Sequence, residues 1–427
     1  MSEDAAVPDD FLLHFAESAF LWDQPKRIGV AVSGGSDSMA TLLLFVRAAQ
    51  TRSVDIHAVT VDHKLRPEAA EEAVFVAKTC ADLGVPHTTL SWEHGDITGN
   101  LQDQARRARY RLIAEWAHAH NIAHVALGHT VDDQAETVLM KLARSAGVDG
   151  LAGMSRSFEQ DGVRFERPLL SFSRQDLRAC LQRNNLGWVE DPSNTDERFD
   201  RVKARNVLAM LAPLGIDAER LGAVAHNAAM AKWALDHYMR QEAGTLVQEE
   251  SGDLILTRSP KLPVPQEIER RLLVQAIQWV SGADHPVRYS ALVSMDAAFI
   301  QADTHTLSGC LLRLDASNGI LNQKLRITRE HNAVKDLTAR TDEIWDGRWV
   351  LEGPHAPDLE IRALGEDGLR QVTDWRDSGM PRVSLLSSPG VWRGAELISA
   401  PIAGYLNGWR AKLVESRDDF AAWLIRR

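Results

Sequence analysis

Apolar positions along the first half of the chain alternate between two periods. Short β-branched runs read as buried strands at 28–32, 55–63, 87–92 and 123–127, and between them apolar residues return at helical spacing. Met39, Leu42, Leu43 and Val46 fall at i, i+3, i+4 and i+7, which gives one apolar helical stripe. Glu68 to Leu83 reads as a helix closed by Gly84, and Gln102 to about His120 as a longer helix turning Ala105, Ala108, Leu112 and Trp116 inward. Residues 1–25 read as an amphipathic helix with Phe11, Leu12, Phe15 and Ala19 on one side. Strands separated by helices of this length need crossover connections, so the pattern predicts an α/β domain whose parallel sheet has helices on both faces. In such sheets ligands bind at the carboxyl ends of the strands.

Beyond about residue 215 the pattern changes. Ala218–Gln241 and Gln266–Val280 read as helices around a short strand, Leu254–Thr257, with a break marked by Pro260, Pro263 and Pro265. Thr306 to Arg329 reads as a β-hairpin whose arms join through a Ser-Asn-Gly turn, and from 341 short alternating strands at 345–351 and 359–363 lie between Gly and Pro. A length of 427 residues calls for two or three domains. The expected boundaries are 1–215, a mainly helical 216–335, and a small α+β carboxy-terminal domain at 341–427.

The first strand opens into Ser33-Gly34-Gly35-Ser36-Asp37-Ser38 just before a helix. A glycine turn at a helix N-terminus gathers backbone N–H groups where an anion is favoured. No lysine follows, so this is not a Walker A loop, and the glycines do not fit G-x-G-x-x-G. The fourth strand leads into His129-Thr130-Val131-Asp132-Asp133-Gln134-Ala135-Glu136. Thr130 followed by Asp133 predicts a helix N-cap, and the helix is expected to bury Ala135, Val138, Leu139 and Leu142 with Glu136 turned away from the core. Carboxylates in one first turn ligate Mg²⁺, bind ammonium groups, or simply complement the helix dipole.

Composition narrows the class. With 44% hydrophobic and 25% charged residues the chain reads as soluble and globular, and no apolar run approaches the ~18 residues that span a bilayer. The acidic start Met1-Ser2-Glu3-Asp4 is unlike a signal peptide, so a cytoplasmic protein with no membrane partner is expected. Cys80, Cys180 and Cys310 are far apart and predict buried thiols rather than disulfides or a metal site. A formal net charge of −11 argues against coating nucleic acid by bulk electrostatics. Local basic clusters remain, Arg106, Arg107, Arg109 and Arg111 in one helix and then Arg198, Arg201, Lys203 and Arg205. They read equally as solvated helical faces or as contacts to a structured RNA.

Ser33 to Ser38 resembles the SGGxDS motif of the PP-loop ATP pyrophosphatases. Further segments are similar to the tRNA(Ile)-lysidine synthase family: 61–68, from Val61-Asp62-His63 through Arg66; 129–137; Arg167-Pro168-Leu169-Leu170; and 188–194, followed by Arg201 and Arg205-Asn206. Lys64 stands where that family usually has glycine. The resemblance implies a Rossmann-like fold and a two-step ligation. ATP adenylates carbon-2 of the wobble cytidine of tRNA(Ile) with a CAU anticodon, releasing pyrophosphate. The ε-amine of L-lysine then attacks that carbon and expels AMP. It also implies site roles. Ser33, Gly34, Gly35, Ser36, Asp37 and Ser38 hold phosphates, and Asp37 binds Mg²⁺. His63, Arg66 and His129 lie near the nucleotide, Asp133 and Glu136 bind lysine amines or the metal, and Arg205 stabilises the adenylated base. The alternatives are another PP-loop adenylating enzyme with a different tRNA base or small-molecule acceptor, and a nucleotide sensor without chemistry. A thiolase would usually carry paired cysteines, which are missing here. The oligomeric state is left open between monomer and homodimer.

Overall fold

The computed structural model describes residues 7–18, 25–65, 68–95, 101–190, 198, 200–258, 264–283, 285–300, 302–315 and 323–425. By contacts the chain forms two compact units, Met1–Lys232 and Trp233–Arg427.

In the first unit, helix α1 (Asp9–Ser18) precedes alternating strands and helices: β1 (Arg27–Ala31), α2 (Ser36–Arg52), β2 (Asp55–Asp62), α3 (Glu68–Asp82), β3 (His87–Ser91), α4 (Leu101–Ala119) and β4 (His124–Leu127). There follow α5 (Val131–Leu142), α6 (Val148–Leu151), β5 (Ser157–Gln160), β6 (Val163–Glu166), α7 (Arg174–Arg183) and α8 (Asp200–Leu211). The sheet runs β3-β2-β1-β4-β6-β5, parallel except for β5, which pairs antiparallel with β6 at the edge. Each of the four predicted strands is present; β1 is shifted one residue toward the amino end, and the others are each trimmed by one residue at one end.

The sheet is buried on both faces because its strands alternate between two cores. Ile28 and Val30 of β1 and Ala126 of β4 face one core, built with Leu12, Met39, Leu42 and Leu177. Val125 and Leu127 face the other, built with Ile113, Trp116 and Phe165. Gly29 points at Trp116, where a Cβ would meet the indole at 2.9 Å. The bulk on that face is supplied by the helix instead of the strand.

The second unit begins within α9 (Ala218–Leu246), about half of which belongs to the first unit. An antiparallel sheet of order β7-β8-β11-β10-β9 follows, with β7 (Val247–Glu250), β8 (Asp253–Arg258), β9 (Thr304–Leu307), β10 (Cys310–Asp315) and β11 (Gln323–Arg329). Its core packs on α10 (Gln266–Ser281). The segment expected to be mainly helical therefore also carries a five-stranded sheet, formed because Leu254, Leu256, Leu312, Leu325 and Ile327 alternate toward one buried face. The predicted hairpin is β10–β11, with Leu312 opposite Ile327; its Ser-Asn-Gly turn lies outside the described residues, as do Pro260 and Pro263.

The tail adds β12 (Thr338–Arg340), β13 (Trp349–Glu352), β14 (Glu360–Ala363), β15 (Pro389–Arg393), β16 (Glu396–Ser399) and β17 (Arg410–Leu413), in a sheet of order β12-β14-β15-β16 and a β13–β17 pair. Trp345, Trp349 and Trp409 are buried in its core. The finer division at 215 and at 335–341 stands as a proposal. Left-handed Gly215 closes the turn after α8, and residues 335–337 join the five-stranded sheet to the tail.

Candidate active site

The described side chains expected to serve the site gather at the carboxyl end of the parallel sheet. At the end of β1, Gly34 takes φ +90, a conformation natural to glycine, and Gly35 caps α2 with no side chain covering its first N–H groups. Ser38 Oγ donates to the Gly35 carbonyl at 3.0 Å and accepts the Ser33 N–H at 3.1 Å, holding the turn closed. The Val189 N–H donates to the Gly34 carbonyl at 2.9 Å, so the segment after α7 is laid on the same turn.

The fourth strand meets this turn through Gly128. A Cβ there would lie 2.8 Å from the Asp37 carbonyl and the Ser38 Cα. Thr130 and Asp133 then form the predicted capping box of α5: the Asp133 carboxylate accepts the Thr130 N–H at 2.9 Å, and the Asp133 N–H points back to Thr130 Oγ1. Asp133 and Glu136 are both buried. The expectation that Glu136 turns away from the core is corrected by this structure: it is 1% exposed, because α8 covers that face of α5 and Arg205 donates to Glu136 Oε1 from Nε at 3.0 Å and Nη2 at 2.8 Å. Leu142, expected inside, is 57% exposed at the last residue of α5. The other Glu136 oxygen, Oε2, is buried and accepts no hydrogen bond.

Asp37 accepts Ser36 Oγ at 2.9 Å and Arg174 Nε at 2.9 Å. The same guanidinium reaches Asp133 Oδ1 at 3.6 Å, and the Arg174 N–H donates to Asp132 Oδ2 at 2.7 Å. Arg174 thus bridges the phosphate turn and the acidic turn. Among the described residues no group of three or more His, Cys, Asp or Glu side chains is placed to hold a metal ion. Asp37 beside a phosphate cradle instead suits Mg²⁺, which is commonly bound by one or two carboxylates and substrate phosphates.

Burial pushes the Asp37 carboxyl above its ordinary value, against the pull of Arg174, and the Asp133 charge adds to the rise. Burial raises Glu136 as well, with Arg205 opposing. Burial would raise Asp133 too, but the Arg174 charge and the Thr130 N–H hold it below the usual carboxylate range. His129 is pushed down to about 3 by burial, with the Arg167 charge adding to the effect. Arg167 Nε donates to His129 Nδ1 at 3.2 Å, which places the ring proton on Nε2 and keeps the imidazole neutral. His63, at the end of β2, stands edge-on to Trp92 at 5.9 Å and is also lowered, by burial and then by Arg109. Lys64 occupies the left-handed region at φ 52, its N–H held by Asp62 Oδ1 at 2.8 Å, so the backbone there has the form glycine would favour. Arg66 lies outside the described residues, as do Asp191 to Asn194.

A PP-loop domain model matches residues 10–211. A tRNA(Ile)-lysidine synthase from Ruegeria pomeroyi is 47% identical over 416 residues, 97% of this chain and 97% of its own. The chain belongs to the tRNA(Ile)-lysidine synthase family. Another member, from Wolbachia pipientis wMel, is 36% identical over 334 residues, 76% of each chain. Among solved structures, the U34-tRNA thiolase NcsA from Methanococcus maripaludis aligns with a TM-score of 0.44 and 14% identity, over 53% of this chain and 78% of that one.

In this lysidine synthase family member, four groups join the site that the sequence did not single out as functional. Arg174 bridges the two carboxylate turns, and Arg178, one helical turn on, pairs with Glu190 at 2.7 Å beside Ser36. Arg167 sets the His129 tautomer, and Gly128 permits the close approach of two loops. A local signal existed for the first two. Ser173 and Asp176 form a capping box, which starts α7 at Arg174 and puts Arg178 on the same face.

Proposed function

We propose that this enzyme joins L-lysine to carbon-2 of the wobble cytidine in the CAU anticodon of tRNA(Ile), converting ATP to AMP and pyrophosphate in the cytoplasm. The observation that carries the reading is Glu136 Oε2. A buried carboxylate oxygen without a donor is costly, and an ammonium group of lysine supplies the donor that is lacking.

The residues divide the work between two turns. The Ser33–Ser38 turn offers backbone N–H groups and hydroxyls to the phosphates of ATP, and Asp37 would hold Mg²⁺, which when bound would supply positive charge beside those phosphates. The cytidine carbon-2 oxygen bonds to the α-phosphorus as the bond to pyrophosphate breaks. Lysine, held through Glu136 and Asp133, then bonds to carbon-2 through its ε-nitrogen as the bond to AMP breaks. The ε-amine attacks in its neutral form, and a carboxylate whose proton affinity is raised, as at Glu136, suits the base that takes its proton. Arg205, paired to Glu136, would keep that carboxylate oriented and meet developing negative charge.

The test is pyrophosphate release from ATP with labelled lysine and three RNA conditions. Release and lysine incorporation are expected with a tRNA(Ile) transcript bearing CAU, and not with a methionine tRNA transcript or without RNA. Release without RNA, or incorporation into neither transcript, would refute the assignment.

A further inference from the structure

The four arginines of α4 do not share one environment. Arg107 pairs with Asp103 and Arg111 approaches Glu115 at i,i+4 spacing, an ordinary solvated face. Arg106 and Arg109 turn the other way, onto the buried Tyr110 ring, with guanidinium carbons 5.1 Å and 5.0 Å from its centroid. Arg109 Nη2 reaches the phenol oxygen at 3.4 Å, while its Nε is buried with no hydrogen-bond partner. Arg167 enters from the end of β6, its guanidinium 4.5 Å over the Phe158 ring, which itself packs edge-on against Tyr110. Arg201 lies one turn before Arg205 on the same face of α8, and its charge is felt by Arg106, His129 and Asp133.

Among the described residues none of these four guanidinium groups forms an ion pair with a carboxylate, although Arg106 feels the Asp103 charge and Arg201 that of Asp133 at longer range. Asp103 on α4 is taken by Arg107, Asp133 on α5 by Thr130 and Arg174, and Glu166 on β6 by Arg164 and His124. His129 is neutral and its Nδ1 is occupied by Arg167. We infer that Arg106, Arg109, Arg167 and Arg201 form a binding site for a backbone phosphodiester of the RNA substrate, beside His129 at the carboxyl end of β4. The aromatic rings hold the guanidinium groups in place, so little side-chain freedom is lost when the anion arrives.

An RNA phosphate is favoured over a phosphate of ATP because the two cationic sets are carried by different elements. The phosphate turn is served by Arg174 and Arg178 of α7. The cluster belongs to α4, the end of β6 and α8, with α8 also supplying the arginine that pairs with Glu136. A base presented to the acidic turn brings a phosphodiester on either side of it. The inference rests on the proposed RNA substrate, and its test separates the two.

Arg106→Ala and Arg201→Ala change exposed side chains and leave the buried members in place. Binding of a labelled tRNA(Ile) transcript is measured by anisotropy across salt concentrations, with KM for ATP measured alongside. Each variant should weaken RNA binding roughly tenfold and lower the salt slope by about 0.7–0.9, the share of one phosphate, and the double variant should lose no more slope than either single one. KM for ATP should stay within about twofold of wild type. Unchanged RNA binding and slope would overturn the site and leave a solvated face, and a raised KM for ATP with RNA binding intact would reassign it to the nucleotide. Failure of the wild-type enzyme to bind the transcript would refute the RNA substrate itself.

Discussion

Replacing Gly128 with alanine adds a Cβ that would stand 2.8 Å from the carbonyl carbon and oxygen of Asp37 and from the Ser38 Cα, where ordinary contacts begin at 3.4 Å. The shortfall is about 0.6 Å, and every atom it meets is backbone, so no rotamer change relieves it. Either β4 retreats or the phosphate turn is pushed outward. Overpacking of this kind costs about 1–3 kcal/mol, which for a unit of this size lowers Tm by roughly 2–12 °C. Because the displaced atoms carry Asp37, turnover should fall by ~10- to ~100-fold, as expected when a reacting group moves by a large fraction of an ångström. Thermal unfolding by circular dichroism reads the first effect and tRNA-dependent pyrophosphate release the second. Gly187→Ala is the control, since a Cβ there meets nothing within 4 Å. A Gly128→Ala enzyme with wild-type Tm and wild-type turnover would show that the loop contact does not position the turn.

Glu136 binds its proton more tightly in the folded chain than in the unfolded one. Its contribution to stability is therefore present at low pH and lost as pH rises from the ordinary carboxylate value through the raised one. Glu136→Gln removes that slope, so the Tm of the variant relative to wild type should rise between pH 4 and 7, and a flat difference would contradict the shift. His129, with a pKa of about 3, stays neutral across pH 5–8, so His129→Gln should lower the rate and keep the shape of the pH–rate profile. Disappearance of an acid limb would show that this imidazole titrates during turnover. The thiols of Cys80 and Cys180 are pushed up to about 11 and that of Cys310 to about 12 by burial. The folded enzyme should resist a disulfide reagent at pH 8 and react at all three sites after unfolding in guanidinium, and rapid labelling of the native chain would count against this.

Period and punctuation alone determined a good deal. The switching between 2.0 and 3.6 spacing placed the strands and helices of the parallel sheet, because each buries its apolar side in a fixed repeat. The Ser33–Ser38 turn and the Thr130–Asp133 cap were also legible, since both are built from neighbours in the chain. Partners chosen across long separations were not. Arg174 and Asp37 are 137 residues apart, and Arg205 and Glu136 are 69 apart. Helical phase put Glu136 on the face away from the sheet, and only the packing of α8 on that face made it buried. In the same way, phase could group the arginines of α4, but the folded neighbours decided that Arg107 and Arg111 meet carboxylates while Arg106 and Arg109 meet an aromatic ring. Local pattern specifies which surfaces must be covered, and the charge environment of each covered group depends on which distant element does the covering.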